Sequence, residues 1–127
     1  MKNKFFILLF MIFLHIIDDY KLQGILASMK QKKWWREQKE YKDLYKNDYL
    51  IALIEHSFSW AFMIMLPIAF ILKFNIGWWI VAYIINMLIH AFVDDLKANR
   101  FKINLITDQL IHLAQIFITW LIFVLEG

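Results

Sequence analysis

From Tyr49 to Leu125 the chain runs through three apolar stretches, Tyr49–Leu72, Gly77–Leu96 and Ile103–Leu125, separated only by short breaks at 73–77 and 97–102. About 20 mostly apolar residues are what a helix needs to cross the hydrocarbon core of a bilayer. Stretches of this length with no alternation satisfy their backbone amides in lipid only as helices. Breaks this short make consecutive helices antiparallel neighbours. A soluble fold is the poorer expectation, because a small domain leaves much of its surface in water. A chain of 127 residues that is 61% hydrophobic and 18% aromatic has no interior large enough for its Phe, Ile, Leu and Trp. The length allows one domain, residues 1–127, with lipid as its main solvent.

Ahead of these stretches, Phe5 to about Leu22 is shorter and more polar. Lys2 and Lys4 before an apolar run imitate a secretory signal, but such a signal ends in a small-x-small cleavage site. Here His15, Asp18 and Asp19 follow instead, so the segment reads as a retained span. The expected fold is therefore all-α: a polytopic membrane protein, with a four-helix transmembrane bundle spanning about 5–22, 49–72, 77–96 and 103–125. Residues 23–48 extend the first helix and then run along or above the inner surface as a basic cytoplasmic arm. Pro67 is tolerated inside a membrane helix.

Charge sets the orientation. Seven of the fourteen Lys and Arg lie between Lys30 and Lys46, and Lys97, Arg100 and Lys102 crowd the last break, whereas Lys2, Lys4 and Lys73 are all the other side offers. The positive-inside bias places both basic segments in the cytoplasm and both termini outside it. Trp78, Trp79 and Trp120 then fall at or near the outer interface, and Trp34 and Trp35 near the inner one, as aromatic belts prefer. A basic tract carrying aromatics also suits nucleic acid. In a membrane chain, anionic headgroups are the better partner, and nucleic acid is disfavoured.

Each span carries one histidine: His15, His56, His90 and His112. At about 1.5 Å rise per residue, all four sit roughly 10–13 Å in from the cytoplasmic ends of their helices. His15/Asp19 and His90/Asp94 are i,i+4 pairs, and Asp108/His112 repeats the spacing in reverse, so each pair shares a helix face. "HIIDD" and "HAFVDD" form a weak echo between two helical hairpins. Ionisable residues inside spans are candidates for function, although any one of these histidines alone could be a packed, hydrogen-bonded residue. Imidazole and carboxylate are ligands of Zn, Mn and Fe, and a cation offsets the cost of burying the acids. His15, Asp19, His56, His90, Asp94, Asp108 and His112 are thus candidate ligands for one or two divalent metal ions. Seven exceed what one tetrahedral ion takes, so either two ions bind or some residues serve as supports. The absence of cysteine removes thiolate ligands and nucleophiles. There is no H-E-x-x-H motif. Ser57 and Ser59, near His56, are a weak signal for a serine nucleophile, and Glu55 is either a base or a headgroup-level charge.

These positions fall into a pattern. A first His-x3-Asp-aromatic-x-Leu-Gln reads His15, Asp19, Tyr20, Leu22 and Gln23, followed by Lys30 and a solitary His56. A later His-x3-Asp-x2-Lys reads His90, Asp94 and Lys97, and a final Asp-Gln-x2-His reads Asp108, Gln109 and His112. The pattern resembles a family of small bacterial integral-membrane proteins catalogued as domain of unknown function 3307. The resemblance spans nearly the whole chain, apart from the basic, Trp-rich stretch at 31–47. It implies a helical fold in the inner cell membrane and marks these residues as a set, without supplying an activity. A looser similarity to membrane-bound metal-dependent hydrolases points toward hydrolysis.

The expected function is a metal-dependent hydrolase acting near the cytoplasmic leaflet on a lipid-linked or amphipathic substrate, a phosphoester first. A cation-activated water would be the nucleophile, with Asp19, Asp94 and Lys97 as candidate catalytic residues. Lys97 or Lys30 would hold a phosphate or a developing negative charge, unless both merely snorkel. Two alternatives use the same residues differently: a conduit for metal ions or protons, or a cluster that only locks helices together. Asn86, Gln115 and Thr119 are nearly the only polar residues of the outer half, which weighs against a conduit. A thin bundle would conduct only as a homo-oligomer.

Overall fold

Apolar and small residues on the helix Tyr49–Ile71 recur at helical spacing, and ten of its side chains are buried, from Ala52 and Leu53 through Trp60, Ala61, Ile64 and Met65 to Ile68. That helix is the axle of the molecule. The computed structural model describes residues 2–126, and among them every regular element is helical. In chain order these are α1 (Lys2–Ile17), a π-helical turn (Asp18–Leu22), α2 (Leu26–Met29), α3 (Lys32–Arg36), α4 (Tyr49–Ile71), α5 (Ile76–Ala98) and α6 (Leu105–Glu126). α4 packs against α1, α2, α5 and α6, while α1 and α5 each also pack on α6.

Three helices, α4, α5 and α6, are long and apolar enough to cross a membrane. They match the expected spans to within a residue or two at each end. α1 differs. Its regular part has 16 residues, and the chain then widens into the π turn, where Gln23 N–H bonds back to Asp18 O at 3.1 Å. Long apolar side chains cover the outward face of α5, among them Ile80, Ile84, Ile85, Leu88 and Phe92, all exposed. A continuous apolar face on the outside of a fold marks a surface made for lipid or a partner rather than water. At the α4–α5 turn, Asn75 caps α5 by accepting from the Gly77 and Trp78 amides at 2.9 and 3.2 Å.

The interior has two halves. One is dry, with Ile7 and Met11 of α1, Ile64, Met65 and Ile68 of α4, and Ile116 and Phe123 of α6 around Trp60. The other half, toward α2 and the α5–α6 turn, is polar and holds the histidines and acids.

The segment after the π turn does not run free. Gly24 takes a left-handed backbone at φ +51°, a conformation glycine adopts at little cost. The chain turns there and folds back over the bundle. Asn99, from the α5–α6 turn, accepts from Lys32 N–H at 2.7 Å and donates to Lys30 O at 2.9 Å. Trp35 Nε1 donates to Met29 O at 2.7 Å, and its ring meets Trp34 and Tyr45 at 4.9 and 5.7 Å. Lys33, Arg36, Lys39, Lys42 and Lys46 remain exposed, while Lys30 is buried. Asn99→Ala removes both links, each worth about 0.5–1.5 kcal/mol. The expected result is tryptic cleavage after Lys33 or Arg36 roughly tenfold faster than in the unaltered protein in detergent, as for a segment whose local opening has become cheaper. Unchanged cleavage would show that the arm is held by other means.

Candidate metal centre

Helical spacing places the centre's side chains. On α5, His90 and Asp94 stand one turn apart with Nε2 3.7 Å from Oδ2. On α6, Asp108 and His112 do the same, Oδ1 to Nε2 at 3.3 Å. α4 supplies His56, and the π turn supplies Asp19. One ligand atom from each of Asp19, His56, His90 and Asp94 lies within 4.8 Å of the others. Asp19, Asp108 and His112 form a second such group. Six of the seven expected ligands are therefore brought together, and all six are buried.

The first group has the dimensions of a coordination shell. His56 Nε2 lies 3.1 Å from His90 Nε2, 3.1 Å from Asp19 Oδ1 and 3.4 Å from Asp94 Oδ2. His90 Nε2 lies 3.9 Å from Asp19 Oδ1 and 3.7 Å from Asp94 Oδ2. Ligands about 2.0–2.2 Å from a tetrahedral cation stand roughly 3.3–3.6 Å from one another, so the four atoms need only small shifts to close on one.

His15 is the exception. Read as a ligand from its spacing to Asp19, it stands outside both groups. Trp60 Nε1 donates to its Nδ1 at 2.8 Å, which leaves the proton on Nε2 to donate to Gln109 Oε1 at 3.0 Å. Both ring nitrogens are thus engaged. Gln109 passes the contact on, donating to Asp19 Oδ2 at 2.8 Å and Asp108 Oδ2 at 3.0 Å. His15 therefore positions the acids through Gln109 and has no free nitrogen for a cation. The physical reason is the π turn, whose i→i+5 bonding winds less per residue and breaks the i,i+4 register between His15 and Asp19.

The same turn buries a residue that the spacing argument passed over. Asp18 is fully enclosed, accepting from Ser59 Oγ at 2.6 Å on Oδ1. Among the described residues its Oδ2 has no hydrogen-bond partner, and neither has His56 Nδ1, which faces it at 3.9 Å. A metal-binding histidine characteristically turns its other nitrogen toward a carboxylate, and Asp18 is placed for that. The only sequence signal was the Asp18–Asp19 doublet and the i+3 spacing of Ser59 from His56.

Both lysines of the pattern point inward. Lys30 Nζ, on the arm, donates to Asp94 Oδ2 at 2.7 Å and Gln23 Oε1 at 2.9 Å. Lys97 Nζ donates to Asp108 Oδ2 at 2.8 Å. Neither snorkels away from the acids. Gln23 also donates to the Asp19 carbonyl. Glu55 is exposed, on a different side of α4 from His56, and Ser57 Oγ is buried without a partner.

Four buried carboxylates (Asp18, Asp19, Asp94, Asp108) face two ammonium groups (Lys30, Lys97), so with neutral imidazoles the centre carries 2 − 4 = −2 charges. Uncompensated charge out of water costs several kcal/mol per ion even after relaxation. Either protons on the histidines or a bound divalent cation closes the gap. Beneath the centre, Trp60 stacks on His90 at 4.1 Å and 16°. A polar ladder runs outward from His112 Nδ1 to Gln115 Oε1 at 3.1 Å, from Gln115 to Asn86 at 3.2 Å, and from Asn86 to Thr119 at 2.9 Å. No family model, no curated protein and no solved structure matches the chain.

Proposed function

We propose that this chain is a membrane-embedded metal-dependent hydrolase, acting near the cytoplasmic leaflet on a lipid-linked or amphipathic phosphoester. In this reading α1 joins α4, α5 and α6 as a fourth, short transmembrane helix, and the basic arm lies at the inner leaflet with both termini outside. The resemblance to the bacterial membrane family of unknown function, and with it an inner-membrane location, is part of the same proposal.

The observation that carries it is the convergence of His56, His90, Asp19 and Asp94, from three separate elements, at the separations of a coordination shell. A divalent cation there would supply Lewis-acid activation of water and of the scissile group. The chain's own contribution is positional. Asp18 faces the outer nitrogen of His56, and Gln109 fixes Asp19 and Asp108. Lys30 and Lys97 place two ammonium groups where an anionic leaving group needs them. A groove of about 390 Å³ between α5 and α6, floored by Asn86 and Gln115 and walled by Ile85, Ile89 and Ile118, suits the apolar part of an amphipathic substrate. Transport fits less well, because the ladder from His112 ends at Thr119 against the dry half of the core.

Protein purified in detergent and equilibrated with zinc should retain at least one ion per chain after desalting. It should also cleave a phosphoester presented in mixed micelles, with chelation abolishing the activity and metal restoring it. His90→Ala should lose both metal and activity. Metal well below one ion per chain, unaltered by His90→Ala, would leave only a helix-locking role.

A further inference from the structure

We infer that the centre holds a second divalent cation, between His112 and Asp108, bridged to the first by Asp19 and Asp94, and that it enters together with a phosphate-type anion. The inference rests on the metal-dependent reading above.

Its starting point is an oxygen without a partner. Asp108 is fully buried and its Oδ2 is held by Lys97 and Gln109, yet its Oδ1 has no hydrogen bond among the described residues. That oxygen faces His112 Nε2 at 3.3 Å, and Asp94 Oδ1 faces the same nitrogen at 3.4 Å. At the far side of the ring, His112 Nδ1 lies 3.1 Å from Gln115 Oε1. A carbonyl oxygen only accepts, so a proton on Nδ1 is shared between Gln115 and His90 Nδ1, which lies 3.2 Å away, and Nε2 presents a lone pair to two carboxylate oxygens. Three acceptors converging in a dry site need a positive charge among them, either a proton or a metal ion.

Asp19, common to both groups, and Asp94, which reaches from the first group to His112, distinguish a second ion from a lone proton. Asp94 turns Oδ2 to His56 and His90 and Oδ1 to His112. Asp19 belongs to both donor groups. A carboxylate that offers one oxygen to each of two neighbouring donor sets is a bridge, and two-metal sites hold their ions about 3.5–4 Å apart. Bundles build such centres from carboxylates and histidines on facing helices.

Charge then specifies what else enters. One divalent cation cancels the −2 of the four acids and two lysines. A second leaves the buried centre two charges positive, with no further acid in either group to offset it. A phosphate dianion restores neutrality, and a pair of metal ions is a symmetric clamp for a phosphoryl group. Lys30 and Lys97, freed as Asp94 and Asp108 turn to the ions, remain beside it.

The test uses the full chain in detergent, equilibrated with Mn(II) alone, with inorganic phosphate, or with phosphatidic acid in the micelles. The inference expects two ions per chain in the presence of the anion and an exchange-coupled Mn(II) resonance. Asp108→Asn, with its helicity checked by circular dichroism, should then bind one ion and give an isolated-ion signal. Tightening of the second ion by inorganic phosphate assigns the anion by its phosphate group alone; tightening only by phosphatidic acid assigns it to a lipid headgroup. If neither tightens the second ion, the anion is refuted. A wild-type stoichiometry of one under all three conditions refutes the second site and leaves the metal-dependent reading standing. No bound ion at all removes both.

Discussion

Asp94→Ala should lower the stability of the metal-free protein by about 3–5 kcal/mol, the cost of breaking a buried ion pair by removing one partner. It should also take the bound metal below one ion per chain. Asp94 is fully enclosed, receives Lys30 at 2.7 Å, and faces His56, His90 and His112 at 3.4, 3.7 and 3.4 Å. Without it the Lys30 ammonium stays buried with Gln23 Oε1 alone. Lys30→Met on the same background removes the stranded charge, so the double variant should recover most of the lost stability, as coupled neighbours do. It should not recover the metal. The two readouts thus separate an ion pair from a ligand. Unfolding by graded SDS in mixed micelles with chelator present measures the first, and elemental analysis after zinc loading measures the second. A single variant as stable as the parent would mean that Lys30 and Asp94 do not meet in a dry site.

The last three helices were legible because uninterrupted apolar length long enough to cross a membrane can be counted directly along the chain. Apolar length alone brackets Tyr49–Ile71, Ile76–Ala98 and Leu105–Leu125, and Asn75 caps the start of the second. The first segment was harder. Its regular helix has 16 residues and it ends in a π turn, a departure set by what Asp18 and Asp19 meet on α4, α5 and α6. Composition suggested a cytoplasmic arm lying along a surface, whereas Gly24 and Asn99 fold it back so that Lys30 is enclosed. That closure depends on a side chain at the far end of α5, which no local pattern encodes.

The centre divides the same way. Residues 56, 90, 94, 108 and 112 could be read from depth and i,i+4 spacing, because they sit on regular helices where those rules hold. His15 shared their depth, but its fate was decided across the bundle by an indole from α4 and an amide from α6. Asp18 was hidden for the opposite reason: on a regular helix it and Asp19 point about 100° apart, and the π turn brings both inside. Trp60 is four residues after His56, on the same face, and an apolar period counts it as core. It is core, but it is also a hydrogen-bond donor to the centre.

That double role gives Trp60 the other large effect. The ring is fully enclosed, stacks on His90, lies 5.3 Å from His112, and donates to His15. Trp60→Ala should cost about 3–5 kcal/mol, as truncation of a large buried aromatic does, and leave His90 without its platform. Trp60→Phe keeps an aromatic surface and loses the donor, costing about 0.5–1.5 kcal/mol for the hydrogen bond plus the smaller ring's packing loss. The informative quantity is metal affinity in the phenylalanine variant. His15, no longer fixed through Nδ1, releases Gln109 and with it Asp19 and Asp108, so affinity should fall about 10–100-fold, as for loss of an outer partner. His15→Ala should reproduce that fall, and combining it with Trp60→Phe should add little, because both act through Gln109. Zinc titration of the three variants decides it. Losses that multiply in the double variant would mean that Trp60 acts on His90 directly and that His15 is not the link between the dry core and the acids.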